Sequence, residues 1–100
     1  MLTIHPAAVD EMRAAALWYE ERAPGLGVRF VDSVLAATNR IAENPRIGAI
    51  WQSARLARKG VRRLTLTNFP YLLVYALEAE RIVVVAVAHG RRRPGYWLRR

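Results

Sequence analysis

The chain contains no cysteine, a single lysine at position 59, and no apolar run approaching a membrane span. Without cysteine there are no disulfides and no thiolate metal ligands, and nothing points to an oxidising compartment. A spanning helix needs roughly 18 consecutive apolar residues, so no membrane association is expected. The start, Met1-Leu2-Thr3-Ile4-His5-Pro6, lacks the basic region and long apolar core of a secretory signal, and a cytoplasmic protein is expected. No metal-ligand spacing, glycine-rich phosphate loop or Ser/His/Asp arrangement stands out, so neither a metal nor a cofactor is expected. Disorder is excluded by the 53% apolar content. One hundred residues are enough for one domain with a modest core.

Acid is scarce in the second half. Residues 1–44 carry four Arg against six acids, a net of −2, whereas residues 45–100 carry twelve basic residues against only Glu78 and Glu80, a net of +10. All basic residues except Lys59 are Arg, whose planar guanidinium grips phosphate or carboxylate bidentately and stacks on aromatic rings. The asymmetry points to a negatively charged partner.

Leu2-Thr3-Ile4 reads as a short strand. Pro6 suits the first position of a helix running to about Arg22, with His5 as a mediocre cap and Val9, Met12, Ala16 and Tyr19 forming a stripe flanked by Ala8 and Ala15. Asp10 and Glu11 favour the helix dipole near that end. Ala23-Pro24-Gly25 breaks it. A second helix, about Leu26 to Glu43, places Phe30, Val34, Ala37 and Ile41 on one face and stops at Asn44-Pro45. The short turn predicts an antiparallel helical hairpin. Arg46–Gly60 reads as irregular, with a weak strand near Ala54–Ala57. Three strands follow, Val61–Thr67, Tyr71–Glu78 and Arg81–His89, turned by Asn68-Phe69-Pro70 and by Glu78-Ala79-Glu80. The expected class is α+β: a short N-terminal strand, the hairpin, then a three-stranded antiparallel meander in a single domain over residues 1–100.

The third strand is apolar on both sides, with Ile82, Val84, Ala86 and Ala88 on one and Val83, Val85 and Val87 on the other. It should be central and covered twice. The hairpin covers one face, no element remains for the other, and an uncovered apolar face suggests a partner chain.

These elements, with Ala8 to Tyr19, Asn44-Pro45, Val61-Arg62-Arg63-Leu64, Phe69-Pro70-Tyr71, Tyr75 and the terminal run from Ala86 to Trp97, resemble the RelE/ParE superfamily of toxins from type II toxin–antitoxin modules. The resemblance covers nearly the whole chain, and the Arg, Phe-Pro-Tyr, Tyr, His, Arg-Arg and Tyr-Trp series is most similar to the ParE-like branch. It implies a small growth-inhibiting bacterial protein of a plasmid-stabilisation type of module. A small, acidic, ParD-like cognate antitoxin would silence it by direct binding. The ParE-like branch implies a poison of DNA gyrase without enzymatic activity. The RelE-like branch implies instead a metal-free endoribonuclease acting on mRNA in the ribosome. A plain nucleic-acid-binding module is a third reading, on charge alone.

The candidate residues follow from these alternatives. A metal-free ribonuclease needs a base, an acid and cations for the phosphorane; His89, Arg62 and Arg91 with Tyr96 are the candidates, with Lys59 or Arg63 as further phosphate holders. Against this, His89 can simply end a strand and bond the backbone. For contact with the target or a polyanion the candidates are Arg62, Arg63, Arg91, Arg92, Arg93, Tyr96 and Trp97; Tyr96 and Trp97 can equally fold back as a lid over the sheet. Arg62 and Arg63 alternate across a strand, so one of them is expected in an ion pair with Glu20 or Glu21. Antitoxin contact is assigned to Trp51, Tyr71, Tyr75 and Arg91, although Tyr71 and Tyr75 share a face with Leu73 and Leu77 and have core positions as their default. Trp18 and Tyr19 are expected under the hairpin, and His5 is expected to be structural.

Overall fold

Local signals set the two helices. In the computed structural model, which describes residues 1–100, strand β1 spans Leu2–Ile4 and helix α1 spans Pro6–Arg22. Pro6 starts α1 where a missing N–H costs nothing, and His5 caps it, its Nδ1 accepting the Ala7 N–H at 3.0 Å. Helix α2, Leu26–Glu43, begins after Gly25, whose φ of 85° is a left-handed conformation that glycine adopts freely. The Glu20 carboxylate accepts from the N–H groups of Gly25 and Gly27 at 2.9 Å. It thereby satisfies the orphan donors of α2 at the positive end of its dipole.

Strands β2 (Ala49–Ile50), β3 (Val61–Thr65), β4 (Tyr71–Glu78) and β5 (Arg81–His89) complete a five-stranded sheet in the order β1-β5-β4-β3-β2. The expected meander is present as β3-β4-β5, antiparallel throughout. The N-terminal strand joins it in parallel, Leu2 to Ile4 lying beside Ile82 to Val84. The first meander strand ends at Thr65 rather than Thr67; one further bond, Leu66 N–H to the Tyr71 carbonyl at 2.9 Å, closes the turn, which passes through Asn68 at φ 70°. The weak strand expected at Ala54–Ala57 is a short helix, α3, Ala54–Arg58. Its Ala, Arg and Leu residues are strong helix formers, and one turn is enough to bury Leu56.

The larger core lies between hairpin and sheet. Ala8 and Ala15 of α1 are buried against Phe30, Val34, Ala37 and Ile41 of α2 and Leu73, Tyr75, Ile82, Val84 and Val87 of the sheet. The deepest positions of α1 are thus the two alanines, and Met12, Ala16 and Tyr19 border them. Trp18 departs from expectation: it is 52% exposed, with the Arg22 guanidinium 3.5 Å over its ring.

Pairing in β5 slips by one residue: Val74 faces Ala86 but Tyr75 faces Val84. Val85 is therefore the extra residue of a bulge, which reverses the alternation expected along β5. Ile82, Val84 and Val87 meet the hairpin, while Ala86 and Ala88 meet the opposite side.

That opposite side is not bare. A second buried cluster joins Val61, Val74, Ala86 and Ala88 to Leu56 of α3 and to Trp97 of the C-terminal tail, with Trp51 and Tyr96 at its margin. The expectation of a sheet face left for a partner is therefore overturned. The cover comes from segments too short and irregular to announce themselves by periodicity.

Candidate functional site at the end of the last strand

A chain of aromatic rings leads from the hairpin to the end of β5. Tyr19 stacks on Phe30 with centroids 5.3 Å apart, Phe30 meets Tyr71 at 5.0 Å, and Tyr71 meets the His89 ring edge-on at 5.1 Å. His89 is thus placed on the hairpin side. Its Nδ1 accepts the Arg91 backbone N–H at 3.1 Å, which leaves Nε2 to carry the proton of the neutral ring. His89 thus ends the strand and bonds the backbone, as the acceptor of an N–H.

Two clefts flank this end. One, of about 560 Å³, lies toward α1 between Trp18, Tyr71, His89 and Arg92. The other, of about 230 Å³, lies toward the tail between Trp51, Arg63, Arg93 and Trp97, and His89 and Arg92 line it as well. A third and larger groove, about 640 Å³, runs along α2 beside the β3–β4 turn, with Arg29 and Arg40 on its wall.

The tail is organised around one acidic residue, Glu11, whose place in the chain suggests only a charge on the helix dipole. Glu11 accepts the Val87 N–H at 3.0 Å, the Tyr96 hydroxyl, and both guanidinium nitrogens of Arg100 at 2.7 and 3.1 Å. Arg92 stands 3.9 Å away. Burial pushes the Glu11 carboxyl up, but the bonds from Arg100, Tyr96 and Val87 outweigh it and hold the group below the usual carboxylate range. Tyr96, buried and donating to that carboxylate, is pushed up to about 12. Arg92 lies over the Tyr96 ring at 3.8 Å, so the second arginine of the triple run is engaged within the protein. Arg91 and Arg93 are exposed.

The expected ribonuclease set is brought together only in part: His89 and Tyr96 line the tail-side cleft with Arg63, whereas Arg62 and Lys59 lie elsewhere. Arg62 lies opposite Tyr75, four residues and about 13 Å along β4 from the Tyr71–His89 pair, and its guanidinium bonds the carbonyls of Gly48 at 2.9 Å and Arg46 at 3.3 Å. Tyr96 is tied to Glu11. Lys59 caps α3 beside Val61, which pairs with Ala76 toward the other end of β4.

Other placements also differ from expectation. Neither Arg62 nor Arg63 meets Glu20 or Glu21, because Glu20 caps α2; Arg63 instead lies 5.2 Å over the Trp51 ring. Trp97 is 4% exposed and belongs to the core, so it offers no surface to a target in this conformation. Tyr75 is wholly buried, its hydroxyl accepting from Gly48 N–H and donating to the Pro45 carbonyl, both at 2.8 Å, so it cannot touch an antitoxin. Gly48 is required there, since a Cβ would come within 2.6 Å of the Tyr75 hydroxyl. Trp51 and Tyr71 are partly buried and Arg91 is exposed. His5 is structural, as expected. No group of three or more His, Cys, Asp or Glu residues forms a cluster able to hold a metal. No helix is long and apolar enough to cross a membrane.

Residues 2–94 match the family described as ParE toxin of type II toxin–antitoxin system, parDE. Among solved structures the chain is similar to one titled as the chromosomal ParDE TA system from P. aeruginosa. That similarity has a TM-score of 0.73 and 18% identity, covering 88% of this chain and 92% of that one. At this identity the likeness concerns the fold. No curated protein matches the chain in sequence.

Proposed function

The chain belongs to the ParE toxin family of type II toxin–antitoxin systems, and from that premise we propose that it inhibits growth by poisoning DNA gyrase, with the arginine-rich end of the sheet making the contact. The observation that carries this reading is the exposed arginine run at the end of β5, of which only Arg92 leans on groups of the protein itself. Arg91 and Arg93 are exposed at the end of β5, and Arg93 shares a cleft with Arg63 and Trp51. Of the residues a metal-free nuclease would need, Arg62 is bonded to the Gly48 carbonyl and the Tyr96 hydroxyl to Glu11. Cations beside an aromatic wall suit an acidic protein surface or the backbone of DNA held in a gyrase complex.

Purified protein is expected to inhibit supercoiling and to trap cleaved DNA. The double substitution Arg91→Ala/Arg93→Ala should weaken both effects about tenfold or more if each guanidinium makes a charge-assisted contact. Absence of both effects in the unmodified protein overturns the gyrase reading. Neutralisation proceeds through direct binding of a small acidic antitoxin, and failure of the co-encoded acidic protein to form a complex would count against it.

A ribosome-dependent nuclease is the second reading because His89 and Tyr96, two of the expected set, line one cleft with Arg63, Arg92 and Arg93. It requires that His89→Ala abolish mRNA cleavage in a ribosome assay while the fold persists. A protein without such cleavage before substitution removes this reading.

A further inference from the structure

The strand β1 covers β5 only from Ile82 to Val84. Beyond it, the open edge of β5 is met by side chains in place of a strand: Arg100 donates to the Val85 carbonyl at 3.0 Å, and Glu11 accepts from the Val87 N–H. The tail that delivers Arg100 is attached in an unusual way. From Arg93 onward its backbone makes only two hydrogen bonds, Leu98 N–H to Gly95 and Arg100 N–H to Trp97, and both stay within the tail. Its hold on the body is by side chains alone: Trp97 in the second core cluster, and Tyr96 and Arg100 on Glu11. Gly90, ahead of the triple arginine, is held by its N–H on the Pro70 carbonyl at 2.8 Å, and Gly95, at φ 93°, turns the tail beyond it.

From this geometry we infer that residues 94–100 form a latch over the second face of the sheet, opening as a unit while the rest of the fold persists, with Glu11 as its catch. Closed, the latch keeps Trp97 inside and Tyr96 and Arg100 on Glu11. Open, it presents the ring of Trp97, the freed guanidinium groups and the apolar residues Leu72, Val85 and Ala88 as one surface. Charge favours opening: Arg91, Arg92, Arg93, Arg99 and Arg100 crowd this end, and Glu11 is the only carboxylate bonded to any of them.

The groups facing Glu11 are Arg92, Tyr96 and Arg100 from the tail, and the Val87 N–H, His89 and Tyr71 from the sheet side. Its carboxyl is held low in the closed state, so the catch is fully present at neutral pH and is lost as pH falls through that depressed value.

The test is acrylamide quenching of Trp97 in the full chain, with Trp18→Phe and Trp51→Phe leaving it the sole indole. Glu11→Gln should raise the open population about tenfold, so that Trp97 becomes quenchable while far-UV circular dichroism is unchanged. Arg100→Gln, acting from the tail side, should do the same, and the double variant should add little to either. Acidification should open the latch before the sheet unfolds, and Glu11→Gln should abolish that acid step. Trp97 exposed only together with loss of the sheet, in both single variants and in acid, would show the tail to be an inseparable part of the core and overturn the inference.

Discussion

The two faces of the sheet are buried by different means. On the hairpin side, α1 and α2 satisfy their backbone groups internally and bring a broad apolar surface to the sheet. On the tail side, a one-turn helix and a segment without body-directed backbone bonds cover a cluster half as large, six buried residues against twelve. Hydrophobic burial scales with area, and backbone ladders make local opening cooperative. The hairpin side should therefore carry global stability, and the tail side should be the part able to change without unfolding.

Truncating each side sharpens this contrast. Phe30→Ala removes a fully buried ring at the junction of hairpin and sheet and should cost about 3–5 kcal/mol in chemical denaturation, enough to threaten folding of so small a domain. Trp97→Ala should cost less, about 2 kcal/mol, because the tail can shift into the space a large side chain leaves. An equal or larger loss at Trp97 would break the comparison. Tyr75→Phe keeps the ring but strands the Gly48 N–H and Pro45 carbonyl, and should cost about 1.5 kcal/mol. Arg81→Ala, in an exposed pair with Glu78 at 3.6 Å, should change stability by less than about 0.5 kcal/mol.

Much of the fold was legible because its signals are local. Pro6, Pro24-Gly25 and Asn44-Pro45 punctuate two periodic segments, and the observed α1 and α2 begin and end there. The three main strands stand where β-branched and aromatic residues alternate between turns. The candidate site was legible in part. His89 and the arginines after it stand out as a cluster in the sequence, but that Arg92, exposed like its neighbours, is the one leaning over Tyr96 does not, since adjacent residues of one type look alike. Glu11 shows only as a helix-end charge in the sequence, because nothing near it in the chain indicates another partner. For Tyr75 the core default holds and for Trp97 the lid alternative holds, over the contact roles assigned to both, because an aromatic in a tail or on a strand shows its ring but not what lies above it.

The sequence by itself determined the helical hairpin, the meander, the absence of disulfides and the concentration of positive charge in the second half, since each depends on residue type or on spacing of a few positions. Only the tertiary structure decided which residues of β5 face the hairpin, because one extra residue at Val85 reverses every side chain after it. Only the tertiary structure, too, joined Glu11 to Arg100 across eighty-nine positions and laid Trp97 over the sheet. Such contacts arise from packing between segments distant in the chain, for which no local pattern exists.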